Sequence, residues 1–93
     1  MKLPVMYADI PPHERWAVRR AYIEQQGGKC HHCGELLINK PRADILKKYV
    51  NENLFPPNFF SSPIHLHHSH DTGFTIGVVH NYCNAVLWQY HGK

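Results

Sequence analysis

The sequence predicts a small α+β domain stapled by a bound metal. Three observations carry that prediction. The chain has 93 residues, enough for one domain with a modest core, and a core of that size commonly needs a staple. Cys30 and Cys33 form a Cys-x-x-Cys pair, matched about fifty residues later by His80 and Cys83. Between them, Ile64 to Val79 reads as strand, turn and strand, and Asn81 to His91 follows as a helix.

Taken in order, Met1 to Ile10 has no clear pattern. Pro11-Pro12 opens a helix running to about Gln26, with Asp9 as a possible cap. Trp16, Val18, Ala21, Tyr22 and Ile23 are its apolar positions, and Gly27-Gly28 ends it. Arg15, Arg19 and Arg20 lie off the apolar stripe. By default they are a solvated face, and they become phosphate contacts if the rest of the protein binds nucleic acid. Lys29 to Gly34 (K-C-H-H-C-G) is a tight metal knuckle, and Glu35 to Asn39 a short strand or extended exit. A second helix is expected over Pro41 to Glu52, with Ile45, Leu46, Tyr49 and Val50 at helical spacing. Asn53 to Pro63 contains three prolines and should be irregular, with Leu54, Phe55, Phe59 and Phe60 clamping the core.

Ile64 to His68 is the first strand and Phe74 to Val79 the second, rich in β-branched residues. Ser69 to Gly73 is the turn, with Gly73 suited to positive φ. Gly92-Lys93 should fray. The whole chain, 1–93, reads as a single domain.

Composition narrows the setting. There is no signal peptide and no long apolar run, which points to a cytoplasmic protein without a membrane partner. Three cysteines are an odd count, so closely spaced Cys and His read as metal ligands rather than a disulfide framework. The formal net charge of +3 is a mild tilt toward polyanions, and nine histidines are the compositional outlier.

A structural zinc wants four N or S ligands in a closed tetrahedron. Cys30 and Cys33 supply two. His80 and Cys83, three apart at a helix start, supply the others, although His31 or His32 could replace His80. Such a site pins the knuckle to the terminal helix. Zinc binding can contribute on the order of 10–16 kcal/mol of apparent folding free energy, so the metal-free protein should be unfolded or loose.

The run His65-Leu66-His67-His68-Ser69-His70-Asp71-Thr72-Gly73, then Gly77-Val78-Val79-His80-Asn81-Tyr82-Cys83-Asn84, resembles the HNH nucleases. Within them it is most similar to the branch of phage recombination endonuclease VII. That branch reads L-H-V-D-H-x-H-x-T-G, then G-L-L-C-x-x-C-N, with a C-x-x-C upstream. The match covers about a third of the chain plus the knuckle, and Pro41 to Pro63 has no counterpart in it.

The resemblance implies a ββα-metal finger, here with an added N-terminal basic helix and middle helix. It implies that His68 is the general base, that His67 and Asn84 hold a catalytic divalent metal, and that His70 contacts the phosphate. It assigns Cys30, Cys33, His80 and Cys83 to the structural zinc. Two departures stand out: His80 replaces a Cys, and His67 replaces an Asp. DNA, duplex or branched, is the implied partner, and a dimer is possible for a cutter of branched DNA.

The chemistry is coherent on its own ground. Phosphodiester hydrolysis needs an activated water and stabilised oxygens. Histidine titrates near neutrality and can act as base. An imidazole ligand at His67 favours Mn²⁺, Ni²⁺ or Co²⁺ over Mg²⁺. One difficulty is geometric: neighbours on a regular strand face opposite sides, so His67 and His68 share a site only if the strand departs from ideal geometry. His65 reads as a cross-strand or surface residue, His13 and His91 as surface, and Trp88 as core.

The rival reading is a zinc-stabilised nucleic-acid-binding module without catalysis. It gives His67, His68 and Asn84 nothing to do. A protein-interaction zinc finger is disfavoured by the basic helix.

Overall fold

The computed structural model describes residues 2–92. Helix α1 (Arg15–Gln25) is preceded by two 3-10 turns, Tyr7–Asp9 and Pro12–Glu14. After the knuckle comes a single short helical turn, α2 (Ala43–Leu46), and a 3-10 turn, Glu52–Leu54. Strand β1 (Ile64–His68), strand β2 (Thr75–His80) and helix α3 (Asn81–His91) complete the chain. No described helix is long and apolar enough to cross a membrane.

The two strands pair antiparallel from Ile64↔His80 to His67↔Gly77, and the register then slips so that His68 faces Thr75. The slip is a bulge between His67 and His68, a departure from ideal strand geometry. Ser69 closes the turn, its Oγ accepting from the backbone N–H groups of Asp71 and Thr72, both at 3.2 Å. Gly73 has the positive φ expected of it.

The core lies between α1, β2 and α3. Val18 and Tyr22 come from α1, Val78 and Val79 from β2, and Cys83, Ala85 and Val86 from α3. Gln26 locks α1 to the sheet with both ends of its amide. Its Oε1 accepts from the Val78 N–H at 2.8 Å and its Nε2 donates to the Val78 carbonyl at 3.0 Å. Gly77 makes room for this, because a Cβ there would lie 2.7 Å from the Gln26 Oε1.

The patternless N-terminus turns out to be structural. Val5 and Thr75 exchange hydrogen bonds, Met6 bridges Phe74, and the Tyr7 N–H donates to the Gly73 carbonyl at 2.9 Å. This edge carries Tyr7 over the end of β1.

Several expectations are corrected. Asp9 caps nothing; it closes the first 3-10 turn, while Pro11 stands ahead of the second. Trp16 is exposed and Trp88 is not core. The exit Glu35 to Asn39 makes one bridge, Leu36 to Lys29, and then turns.

The second helix stops at Leu46 because α3 captures the backbone beyond it. Gln89 and Tyr90 both donate to the Tyr49 carbonyl, and the Asn51 N–H donates to the Gln89 Oε1. Only Ile45 and Val50 of that segment are buried, and Leu54 is exposed. Gly92, expected to fray, caps α3 in the left-handed conformation. Lys93 lies outside the described residues, as does Met1.

Candidate functional site

Two groups of side chains meet α3, a Cys and His cluster through Cys83 and a cavity lining through Asn84. The first is Cys30, Cys33, His80 and Cys83, all buried, with their ligand atoms within 4.8 Å of one another. Cys33 Sγ lies 3.5 Å and Cys83 Sγ 3.7 Å from His80 Nδ1. The other ring nitrogen settles the tautomer. His80 Nε2 faces the carbonyls of Leu36 at 3.1 Å and Asn39 at 2.9 Å, and carbonyls only accept. Nε2 therefore carries the proton, and Nδ1 offers its lone pair to the sulfurs. Such an outer partner is what orients a histidine ligand.

Around the sulfurs, the His32 N–H donates to Cys30 Sγ at 3.4 Å, and Arg42 braces the knuckle through the Cys33 carbonyl at 3.0 Å. The hydrogen bond between Cys30 and Cys83 pulls the Cys30 thiol well below its ordinary value, and the same bond pushes Cys83 up. Three buried thiols that cannot all ionise together are a donor set that a divalent cation accommodates. The cluster can hold a metal such as zinc. His31 is exposed and His32 only half-buried, so neither displaces His80.

The second group lines an open cavity of about 640 Å³ between β1, α1, α3 and the loop before β1. Its walls include His67, His68, His70 and Asn84, together with Arg15 and Arg19. Arg15 and Arg19, four apart on α1, share the face toward the cavity. Arg20 is exposed and off that lining. The bulge brings His68 to the cavity that His67 lines, although the two are neighbours in sequence.

Electrostatics favour the neutral form of His67 and His68. Burial, with the neighbouring His68 adding to it, holds His67 down at about 4. Burial also lowers His68, with the neighbouring His70 and the Arg15 guanidinium adding to it. A neutral His67 has a lone pair for a metal, and a neutral His68 has one for a proton.

Two atoms in this wall are unsatisfied. Asn84 Oδ1 and Arg15 Nε are buried without a hydrogen-bond partner among the described residues. A lone-pair oxygen and a cationic donor left in this state suit a cation and an anion respectively.

Sequence reasoning missed three contributors. Tyr7 stacks on His68, with centroids 4.0 Å apart and planes 10° off parallel, and Arg15 sits over the Tyr7 ring at 4.7 Å. Trp88 packs on His70 at 4.1 Å. His65, read as cross-strand or surface, is half-buried on the cavity wall and meets Asn84. The alternation of β1 places His65 on the face of His67, a signal present in the sequence.

Compared with known proteins, the chain matches no family model, no curated protein and no solved structure.

Proposed function

We propose that the chain is a metal-dependent endonuclease or nickase of the HNH kind, hydrolysing phosphodiester bonds in DNA, with the Cys3His cluster holding a structural zinc. The observation that carries this reading is the gathering of His67, His68, His70, Asn84, Arg15 and Arg19 around one open cavity. The closed cluster has its ligands buried and its outer nitrogen partnered, which suits a structural role. The cavity has unpartnered donors and open space, which suits chemistry.

His67 and Asn84 Oδ1 would hold the catalytic ion. When bound, a divalent ion supplies charge stabilisation to the phosphoryl group and the leaving oxygen. The chain's own residues do the rest. Arg15 and Arg19 attract the phosphate backbone, and the free Nε–H of Arg15 can donate to a phosphate oxygen. His68, neutral and held flat by Tyr7, takes the proton from the attacking water. His70, steadied by Trp88, donates to the phosphate. Arg20 has no part in the site.

The test is a cleavage assay of purified protein on supercoiled plasmid and on a four-way junction, with metals varied. Nicking that is faster with Mn²⁺, Ni²⁺ or Co²⁺ than with Mg²⁺ is expected from the imidazole ligand. Highest activity with Mg²⁺ counts against His67 as a ligand. DNA binding with no cleavage under any metal would favour a non-catalytic zinc-stabilised module instead.

A further inference from the structure

His65 stands two residues before His67 on the same face of β1, and both line the cavity. Phe59 meets its ring edge-on, with centroids 4.6 Å apart. Phe59 belongs to the aromatic cluster of the loop before β1, with Phe55 and Phe60. His65 is thus braced from outside and faces α3 within. Its Nδ1 lies 3.1 Å from Asn84 Nδ2. An amide NH₂ group can only donate, so Nδ1 is the acceptor and the ring carries its proton on Nε2.

Asn84 is only 8% exposed. With its NH₂ engaged by His65, its Oδ1 is left buried and without a partner among the described residues. Which atom faces outward matters, because an amide oxygen can ligate a cation and an amide NH₂ cannot. The terminal torsion of Asn is broad and roughly two-fold, so the backbone does not choose between the two orientations. A neighbouring acceptor does.

Resting on the functional reading above, we propose that His65 is a positioning residue for the second metal site. Its Nδ1 holds the Asn84 amide so that Oδ1 is presented to the divalent cation. Without that acceptor the amide samples both orientations, and the ion meets a donor hydrogen in part of the population. His65 itself does not touch the ion. Partners that orient a metal ligand typically change metal affinity by about ten- to a hundredfold when removed.

The experiment measures Mn²⁺ binding by calorimetry to the 93-residue chain carrying its zinc, independent of cleavage. His65→Ala should weaken Mn²⁺ binding by about tenfold or more. His65→Asn keeps an acceptor at the Nδ1 position and should restore most of the affinity. His65→Gln reaches the Nε2 position instead and should behave like His65→Ala.

Zinc content and thermal midpoint, measured on each variant, separate this from loss of fold. In an Asn84→Ala background, adding His65→Ala should change nothing further, because the effect passes through Asn84. Wild-type affinity in His65→Gln, or additive losses in the double variant, overturns the proposal while leaving the nuclease reading standing. A wild-type protein that takes up no second ion overturns both.

Discussion

Cys83 and Asn84 are neighbours on α3, yet they belong to opposite kinds of site. Cys83 is fully buried against Cys30, Cys33 and His80, and His80 has its outer nitrogen satisfied by two carbonyls. Asn84 faces a cavity whose wall retains an unpartnered amide oxygen and an unpartnered guanidinium nitrogen. Satisfaction is a mark of structure, because every unmade hydrogen bond costs stability. Unsatisfied buried groups persist where a ligand completes them. One helix therefore carries a closed face toward the cluster and an open face toward the cavity. The position of the first fixes the position of the second.

The largest effect should come from breaking the closed face. Cys33→Ser removes a ligand from the cluster and, with it, zinc binding worth on the order of 10–16 kcal/mol of apparent free energy. The expected outcome is a chain without bound zinc and without a cooperative melting transition, read by metal analysis and circular dichroism. A folded, zinc-free variant would show that the core of α1, β2 and α3 stands by itself.

Breaking the open face should leave the fold alone. His68→Ala is expected to lower plasmid nicking by about a hundred- to ten-thousandfold, the usual worth of a general base. Zinc content, melting temperature and DNA affinity should stay at wild-type values. Retained nicking would remove His68 from the role of base.

The smallest effect distinguishes cavity-facing charge from surface charge. Arg15→Ala should weaken DNA binding and reduce the salt dependence of log Kd by about one, as for one lost phosphate contact. Arg20→Ala should change neither, since Arg20 lies off the cavity lining. Equal effects from both would mean that α1 contributes a diffuse basic face.

Much of the fold and of the closed cluster was legible in the sequence. Strand β1 and helix α3 run over the expected residues, because alternation and helical spacing are strong there. The four cluster ligands were also legible, since Cys-x-x-Cys leaves few partners in a chain with three cysteines. What was hidden depends on contacts distant in sequence. Tyr7 reaches His68 only because Val5 to Tyr7 joins the edge at Gly73 to Thr75. The middle helix lost its second half to hydrogen bonds from Gln89 and Tyr90, a tertiary override of a helical pattern. His65 looked ordinary because its role rests on which atom of Asn84 it engages. No local residue pattern announced the bulge between His67 and His68.

The central claim is that one small chain holds two chemically distinct metal sites. A Co²⁺ titration of metal-free protein, refolded under reducing conditions and followed by visible absorption, tests it most directly. Two ions per chain should bind. The first should show the intense bands of tetrahedral thiolate coordination, and the second only the weak bands of an oxygen and nitrogen environment. His67→Ala should abolish the second and leave the first unchanged. A single ion per chain, or a His67→Ala variant with an altered thiolate spectrum, would contradict the account.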